Sequence, residues 1–259
     1  MSFFKYLIIY ILSLLPDFIL GKLENIFSIS RGRGFSNPKI EANLITKFAL
    51  SKNIYLKNIF DVGAFHGDYT NEVIKTFPSS NYYLFEPDNY NFEILKKKFI
   101  ENNNIKIFKK AISDIEDDGV LYSHVRGSLQ ASLVNQDLSH FNLENNYRQN
   151  IKITSIDKVF DELKIDIIDL CKIDIEGNEL KALNGAKDKI NKIKLIQFEF
   201  GPASVDSSVF FKDFFKFFKK NDFYILRITP SKLVEIKTYD EQIENFRVSN
   251  FLAVNKTLV

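Results

Sequence analysis

Beyond about residue 54 the chain alternates short apolar runs with helix-length amphipathic stretches, and this alternation narrows the fold more than any single motif. Ile59–Val62, Asn81–Phe85, Ile105–Phe108, Asp169–Ile173, Leu195–Phe198 and Tyr224–Ile228 read as strands. Asp68–Phe77, Asn89–Ile100, Glu179–Ile190 and Val209–Lys220 read as the helices between them. Strands separated by helices pair in parallel through right-handed crossovers, which predicts a doubly wound α/β layer. The end departs from this rhythm. Leu233–Ile236 and Asn250–Val254 are strand-like with no helical period between them, so the terminal strand is expected to pair antiparallel. Cys171 falls inside a strand, where a buried inert thiol is expected.

The 259 residues divide into an N-terminal apolar helix and linker over 1–50 and one domain over 51–259. With 35 basic and 33 acidic side chains there is no basic excess of the kind a nucleic-acid binder carries. One cysteine excludes an intramolecular disulfide framework, and three histidines do not fall at metal-ligand spacing. A reduced, cytoplasmic setting is expected from this. Tyr6–Leu15 (YLIIYILSLL), between Lys5 and Pro16, is too short to cross a bilayer and lacks a small-x-small cleavage site after it. Two readings of the run stay open: a helix packed on the body or on a second copy, and a helix giving peripheral membrane contact through residues 1–20. Ser30–Ser36 (SRGRGFS) reads as a flexible connection whose Arg31 and Arg33 are either solvated or near phosphate or lipid headgroups.

Phe60–Thr70 (FDVGAFHGDYT) carries the first chemical signal. A strand ends at Asp61-Val62, and Gly63 and Gly67 bracket a turn into a helix, where a missing Cβ lets backbone and ligand approach. This is neither the G-x-G-x-x-G dinucleotide pattern nor a P-loop. Asp61, two residues before the first glycine, would repel a pyrophosphate and suits a cation such as an ammonium group. Glu86, 23 residues after Gly63, stands at the tip of the second strand, placed to accept both hydroxyls of a ribose. The structural alternative is a pair of plain turn glycines and an ordinary Glu86-Pro87 strand exit.

The second signal is DLCKIDIEGNELKALNGA over 169–186. Lys172, Asp174 and Glu176 alternate along an extended strand, and charges on one side of a central strand are costly unless they lie at its open end. Asp174 and Glu176 are therefore expected at the same crevice as Asp61 and Glu86, with Glu199 at the end of LIQFEF in an equivalent place. The alternative makes these carboxylates helix N-terminal charges.

The run KIDIEGNELKALNGA, with TSIDKVFDEL before it and IQFEF after it, resembles the FkbM family of S-adenosylmethionine-dependent methyltransferases. The resemblance extends over IFDVGAFHGDYT, YLFEPD, KKAISD, GSLQASL and SNFLAV, roughly residues 54 to 256. It implies the class I methyltransferase (Rossmann-like) fold, a doubly wound seven-stranded sheet with the last strand antiparallel, here behind an N-terminal helical extension. It implies S-adenosyl-L-methionine as cofactor. Asp61 and the loop Gly63, Ala64, Phe65, His66 and Gly67 would cradle the methionine part, Glu86 with Pro87 would hold the ribose, and Ala111 and Ser113 would border the adenine. Asp174 would lie near the transferred methyl, with Asp174 or Glu176 as the base and Lys172 and Glu199 toward the substrate. Asn178 stands where a small residue is expected.

Family members are similar in acting mostly on hydroxyl oxygens, so the expected acceptor is a saccharide, a lipid-linked glycan or a small metabolite. No metal ligand set is assigned; a divalent ion across Asp174, Glu176 and Glu199 is the lesser alternative. A binding or scaffold protein on the same fold is one competing reading, and a nicotinamide-dependent oxidoreductase is another. The missing third glycine and the charge of Asp61 count against the latter.

Overall fold

The computed structural model describes residues 3–259, with side chains from Leu7 onward. Met1, Ser2 and the side chains of residues 3–6, including the basic start at Lys5, lie outside the described residues. Two helices open the chain, α1 (Phe3–Ser13) and α2 (Asp17–Ser30), separated at Pro16. Among the described residues no helix is long and apolar enough to cross a membrane. A third, α3 (Pro38–Ser51), starts at an Asn37 N-cap whose side chain accepts the Lys39 and Ile40 N–H groups, with Pro38 in the first turn.

Next come β1 (Asn58–Val62), α4 (Asp68–Thr76), β2 (Asn81–Phe85), α5 (Asn89–Lys98) and β3 (Ile105–Phe108). A small layer of β4 (Ala111–Ile112), β5 (Asp117–Ser123) and β6 (Tyr147–Thr154) intervenes, in the order β4-β6-β5. The main layer resumes with α6 (Ile156–Leu163), β7 (Ile168–Ile173), α7 (Glu179–Asn184), β8 (Ile193–Phe200), α8 (Ala203–Asp206) and α9 (Phe211–Lys220). It closes with β9 (Phe223–Ile228), β10 (Leu233–Ile236) and β11 (Ser249–Asn255).

The main sheet runs β10-β9-β11-β8-β7-β1-β2-β3. β1 pairs in parallel with β2 on one side and β7 on the other, so the strand order reverses there and the loops after β1 and β7 part to leave a crevice. The terminal strand β11 pairs antiparallel with both β8 and β9, as expected, but sits inside the sheet. The sheet has eight strands where seven were expected, because β10 folds back on β9 as an antiparallel edge. The helix expected over Glu179–Ile190 ends at Asn184 and is followed by turns and a short 3-10 segment. A Cβ at Gly185 would strike the Ser113 carbonyl, so the chain must turn close under β4 there.

Because successive strand residues face opposite sides, the core splits across the sheet. One side packs Phe60, Cys171 and Phe198 against α6, α7 and α9. The other packs Ile59, Leu84 and Leu170 against α3, α4 and α5. Residues 38–50, read from sequence as part of the extension, thus contribute Ala42, Ile45 and Ala49 to the core. Phe198 lies at the centre of an aromatic cluster, with ring centroids 4.9 Å from Phe214, 4.9 Å from Phe218 and 5.3 Å from Phe251. Phe198→Ala empties that centre and is expected to cost about 3–5 kcal/mol, read as a lower midpoint in urea unfolding.

Candidate functional site

The loop after β1 is shaped by three left-handed residues, Gly63 (φ 77°), Phe65 (φ 48°) and Gly67 (φ 72°). Gly63 and Ala64 donate their N–H groups to the Phe85 carbonyl at 3.0 and 3.1 Å, tying the loop to the end of β2. A Cβ on Gly63 would strike the backbone carbonyl of Asp174, so the first turn approaches the end of β7 more closely than any side chain permits. Glu86 fastens the same loop from the other side. Its Oε2 accepts the Phe65 N–H at 2.9 Å and its Oε1 accepts the Asp88 N–H at 2.9 Å. Each oxygen keeps a second acceptor position for a ligand hydroxyl. Burial pushes the Glu86 carboxyl up to about 7 against the pull of those two N–H groups.

Lys172, on β7 beside Asp61 of β1, gathers the groups around the crevice floor. Its Nζ lies 3.3 Å from Asp61 Oδ1 and 3.4 Å from Asp174 Oδ2, and donates to the Gly63 carbonyl at 3.2 Å. Burial works against the ammonium, but Asp61 and Asp174 more than offset it and hold the lysine charged. Asp61, fully buried, receives its other contact from Thr70 Oγ1 at 2.6 Å. The cation that Asp61 meets is therefore one of the chain's own side chains.

Beyond β7 the backbone leaves the strand and turns through Glu176 (φ 55°) and Gly177 (φ 97°). The carbonyl of Glu176 accepts Ser132 Oγ at 2.7 Å and Gln136 Nε2 at 2.9 Å, while the Gly177 carbonyl accepts Ser207 Oγ at 2.6 Å. Glu179 closes the turn by accepting the Ile175 and Gly177 N–H groups at 2.9 Å each. This fixed turn brings carboxylate oxygens of Asp174, Glu176 and Glu199 within 4.8 Å of one another, a spacing within reach of one divalent cation. Among the described residues the Glu176 side chain has no hydrogen-bond partner; burial, then Asp174 and Glu179, push its carboxyl up to about 8. Burial and the same neighbours raise Glu199 well above the usual range.

A cleft open to solvent lies over these groups. Of the residues singled out from sequence, Gly63, Ala64, Phe65, Glu86, Pro87, Ala111, Lys172, Asp174 and Glu176 wall it. The remaining five stand behind that wall. Asp61 lies under Lys172, and Gly67 begins α4 against the Phe99 ring. His66 stacks on Phe65 with centroids 3.8 Å apart and meets Asn91 Oδ1 at 3.2 Å. Ser113 holds the Asn178 amide at 3.1 Å, so the asparagine found in place of a small residue pins the start of α7 to β4. Glu199, near the end of β8, meets Asp174 and Glu176 from the neighbouring strand without lining the cleft itself.

Sequence reasoning missed Glu41. It lies on α3, lines the cleft, caps its own helix through the Asn37 N–H at 2.7 Å, and accepts Gln197 at 2.9 Å and Asn250 at 3.2 Å. Burial raises its carboxyl to about 7. The N-cap signal Asn37-Pro38 with Glu41 one turn on was the available clue.

These groups fit the expected cofactor. Asp174 and the Gly63 carbonyl, at the loop that only glycine can form, suit the ammonium end of an amino acid. Glu86 suits a pair of vicinal hydroxyls, and Phe85, Ile112 and Leu121 give the cleft an apolar wall for a base.

A sequence profile of the methyltransferase FkbM domain matches residues 61–225. Among solved structures the chain is similar to a putative caffeoyl-CoA O-methyltransferase from Staphylococcus aureus, at 9% identity over 97% of this chain and 98% of that one, TM-score 0.48. It is also similar to the METTL16 methyltransferase domain, at 12% identity over 85% of this chain and 69% of that one, TM-score 0.47. A third is a SAM-dependent O-methyltransferase from Thermotoga maritima, at 9% identity over 85% of this chain and 66% of that one, TM-score 0.43. No curated protein sequence matches this chain. Since the matched span runs from Asp61 at the end of β1 through both acidic strand ends and on into β9, the chain belongs to the FkbM family of S-adenosylmethionine-dependent methyltransferases.

Proposed function

We propose that this methyltransferase acts on a hydroxyl oxygen of a saccharide, a lipid-linked glycan or a small metabolite, with Glu176 as the base. One observation carries the reading: Glu176 faces the cleft without a hydrogen-bond partner among the described residues, and its carboxyl is raised to about 8. A carboxyl with that affinity for a proton is matched to drawing one from an alcohol near neutral pH. Asp174 differs in being tied to the Lys172 ammonium at 3.4 Å, which makes it a fixed negative charge that orients the acceptor and the donor's cationic end. Bound S-adenosylmethionine supplies an electrophilic methyl group on a sulfonium. Glu86 and the loop it fastens hold the ribose side, Lys172 sets the distance between β1 and β7, and the hydroxyl proton passes to Glu176 Oε. Most of the acceleration then comes from alignment, which a rigid turn at 176–177 is suited to give.

Glu176→Gln is expected to lower transfer of a radiolabelled methyl group by about a hundred-fold or more, with S-adenosylhomocysteine affinity nearly unchanged by calorimetry. Full activity in that variant would remove Glu176 from the base role. The base must be ionised to act, and its carboxyl is raised, so the transfer rate should climb with pH through about 8, and the step should vanish in Glu176→Gln. Glu86→Gln should instead weaken S-adenosylhomocysteine binding by about ten-fold, the scale of a lost charge-assisted hydrogen bond. Transfer is expected to persist in a chelator. Loss that magnesium restores would reassign Asp174, Glu176 and Glu199 to a cation. The acceptor class is tested by finding which cellular glycan, lipid or metabolite loses a methyl group when the protein is absent.

A further inference from the structure

The helices ahead of the catalytic layer carry apolar side chains on their outer surface, although Ile19, Leu20, Leu23 and Ile29 of α2 are half-buried. Six consecutive residues of α1, Leu7 to Leu12, are each between 41% and 63% exposed, and α2 adds Phe18, Ile26 and Phe27 at 61% to 66%. No residue of α2 is buried. Six residues exceed one and a half turns, so the exposed apolar surface of α1 runs right round the helix. A second helix or a protein groove covers one stripe, about 100° wide. A fluid apolar phase covers every azimuth, and that is what this pattern calls for. At about 1.5 Å per residue, the 11 residues of α1 extend about 16 Å, roughly half of a ~30 Å hydrocarbon layer.

The charge at the foot of α2 has the complementary sign. Arg31 is exposed and Arg33 half-buried, in the turn that follows the helix. Arg33 lines a surface depression with Arg227 of β9 and Lys237; Glu235 and Asp240 share it. The Nε atoms of both arginines are buried without a hydrogen-bond partner, and among the described residues neither arginine forms an ion pair. Burial and the charge of Arg33 pull Arg227 down to about 10. Two guanidinium groups held together without a carboxylate partner form a place for an oxyanion. The foot itself is rigid. A Cβ at Gly32 would strike the Ile228 carbonyl, and Gly34 donates to the Val248 carbonyl at 2.7 Å, fixing the turn to β9 and to the entry of β11.

We propose that α1 and α2 seat the protein on an anionic membrane surface, with α1 in the interfacial layer of one leaflet and Arg31, Arg33 and Arg227 against lipid phosphates. The inference is independent of the acceptor proposed above.

Flotation of the full-length protein with phosphatidylcholine vesicles, with and without phosphatidylglycerol, tests this; flotation separates lipid-bound protein from aggregate. The protein should float with the vesicles, more strongly when phosphatidylglycerol is present and less strongly as salt rises. Ile8→Asp with Ile11→Asp should lower the bound fraction by at least about ten-fold. Arg31→Gln should reduce the phosphatidylglycerol preference about five-fold, one headgroup contact's worth. Both variants lie on exposed positions, and circular dichroism with S-adenosylhomocysteine binding verifies that the fold and cleft persist. Absence of flotation at every composition overturns the proposal, as does flotation that the double aspartate variant leaves unchanged. A lipid-free dimer that the same variant dissolves also overturns it, assigning the surface to a second copy.

Discussion

One buried ammonium organises the crevice. Lys172 Nζ meets carboxylates from two strands and a carbonyl from the glycine loop, so the ends of β1 and β7 are held at a set separation where the sheet reverses its order. Such a cluster is weak evidence for stability, because desolvating its members costs about what their attraction returns. Its value lies in specification. With Lys172 neutral or absent, Asp61 would be left fully buried with only Thr70 as partner, and Asp174 would lose its fixed orientation.

Burial around the same crevice raises the proton affinity of several carboxyls, against the pull of Lys172 on Glu41, Glu86 and Glu176. Glu41, Glu86 and Glu179 are raised to about 7, and Glu176 to about 8, burial being the first cause in each. Three of the four are nonetheless bound by backbone N–H groups that favour the ionised form: Glu41 by Asn37, Glu86 by Phe65 and Asp88, Glu179 by Ile175 and Gly177. Glu176 lacks any such donor among the described residues and rises furthest of the four. Glu199, raised well above the usual range by burial and by Asp174 and Glu176, shares that lack of a donor among the described residues.

The sheet was legible in the sequence because its strands are short apolar runs cut cleanly by turns, as at Asn81–Phe85 followed by Glu86-Pro87. The small layer β4-β6-β5 was not. Asp117–Ser123 and Tyr147–Thr154 carry many polar residues on an open face, and 23 residues with only a short 3-10 turn at Ser139–Phe141 and one bridge at Ser132 separate them. The acidic rim was legible for a physical reason: charge at the end of a buried strand must be compensated, which narrows where it can lie. Glu41 was hidden because its partners, Gln197 and Asn250, lie 156 and 209 residues away and meet only once the sheet is built. Asp61 shows the limit of reading charge alone. An isolated carboxylate beside a glycine turn reads as a receptor for a ligand's cation, yet β7 supplies Lys172 to the same oxygen.

Ser36 and Pro38, which line the cleft, follow α2 after a short fixed turn. Six residue steps of at most about 3.5 Å keep Ser36 within about 21 Å of Ser30. Because Gly32 packs against the Ile228 carbonyl and Gly34 bonds to Val248, that side of the cleft stays at a nearly constant height relative to the foot of α2, whatever that helix rests on. Molecules confined to two dimensions at that height would reach the entrance by sideways diffusion, whereas those dissolved in bulk must find it from three.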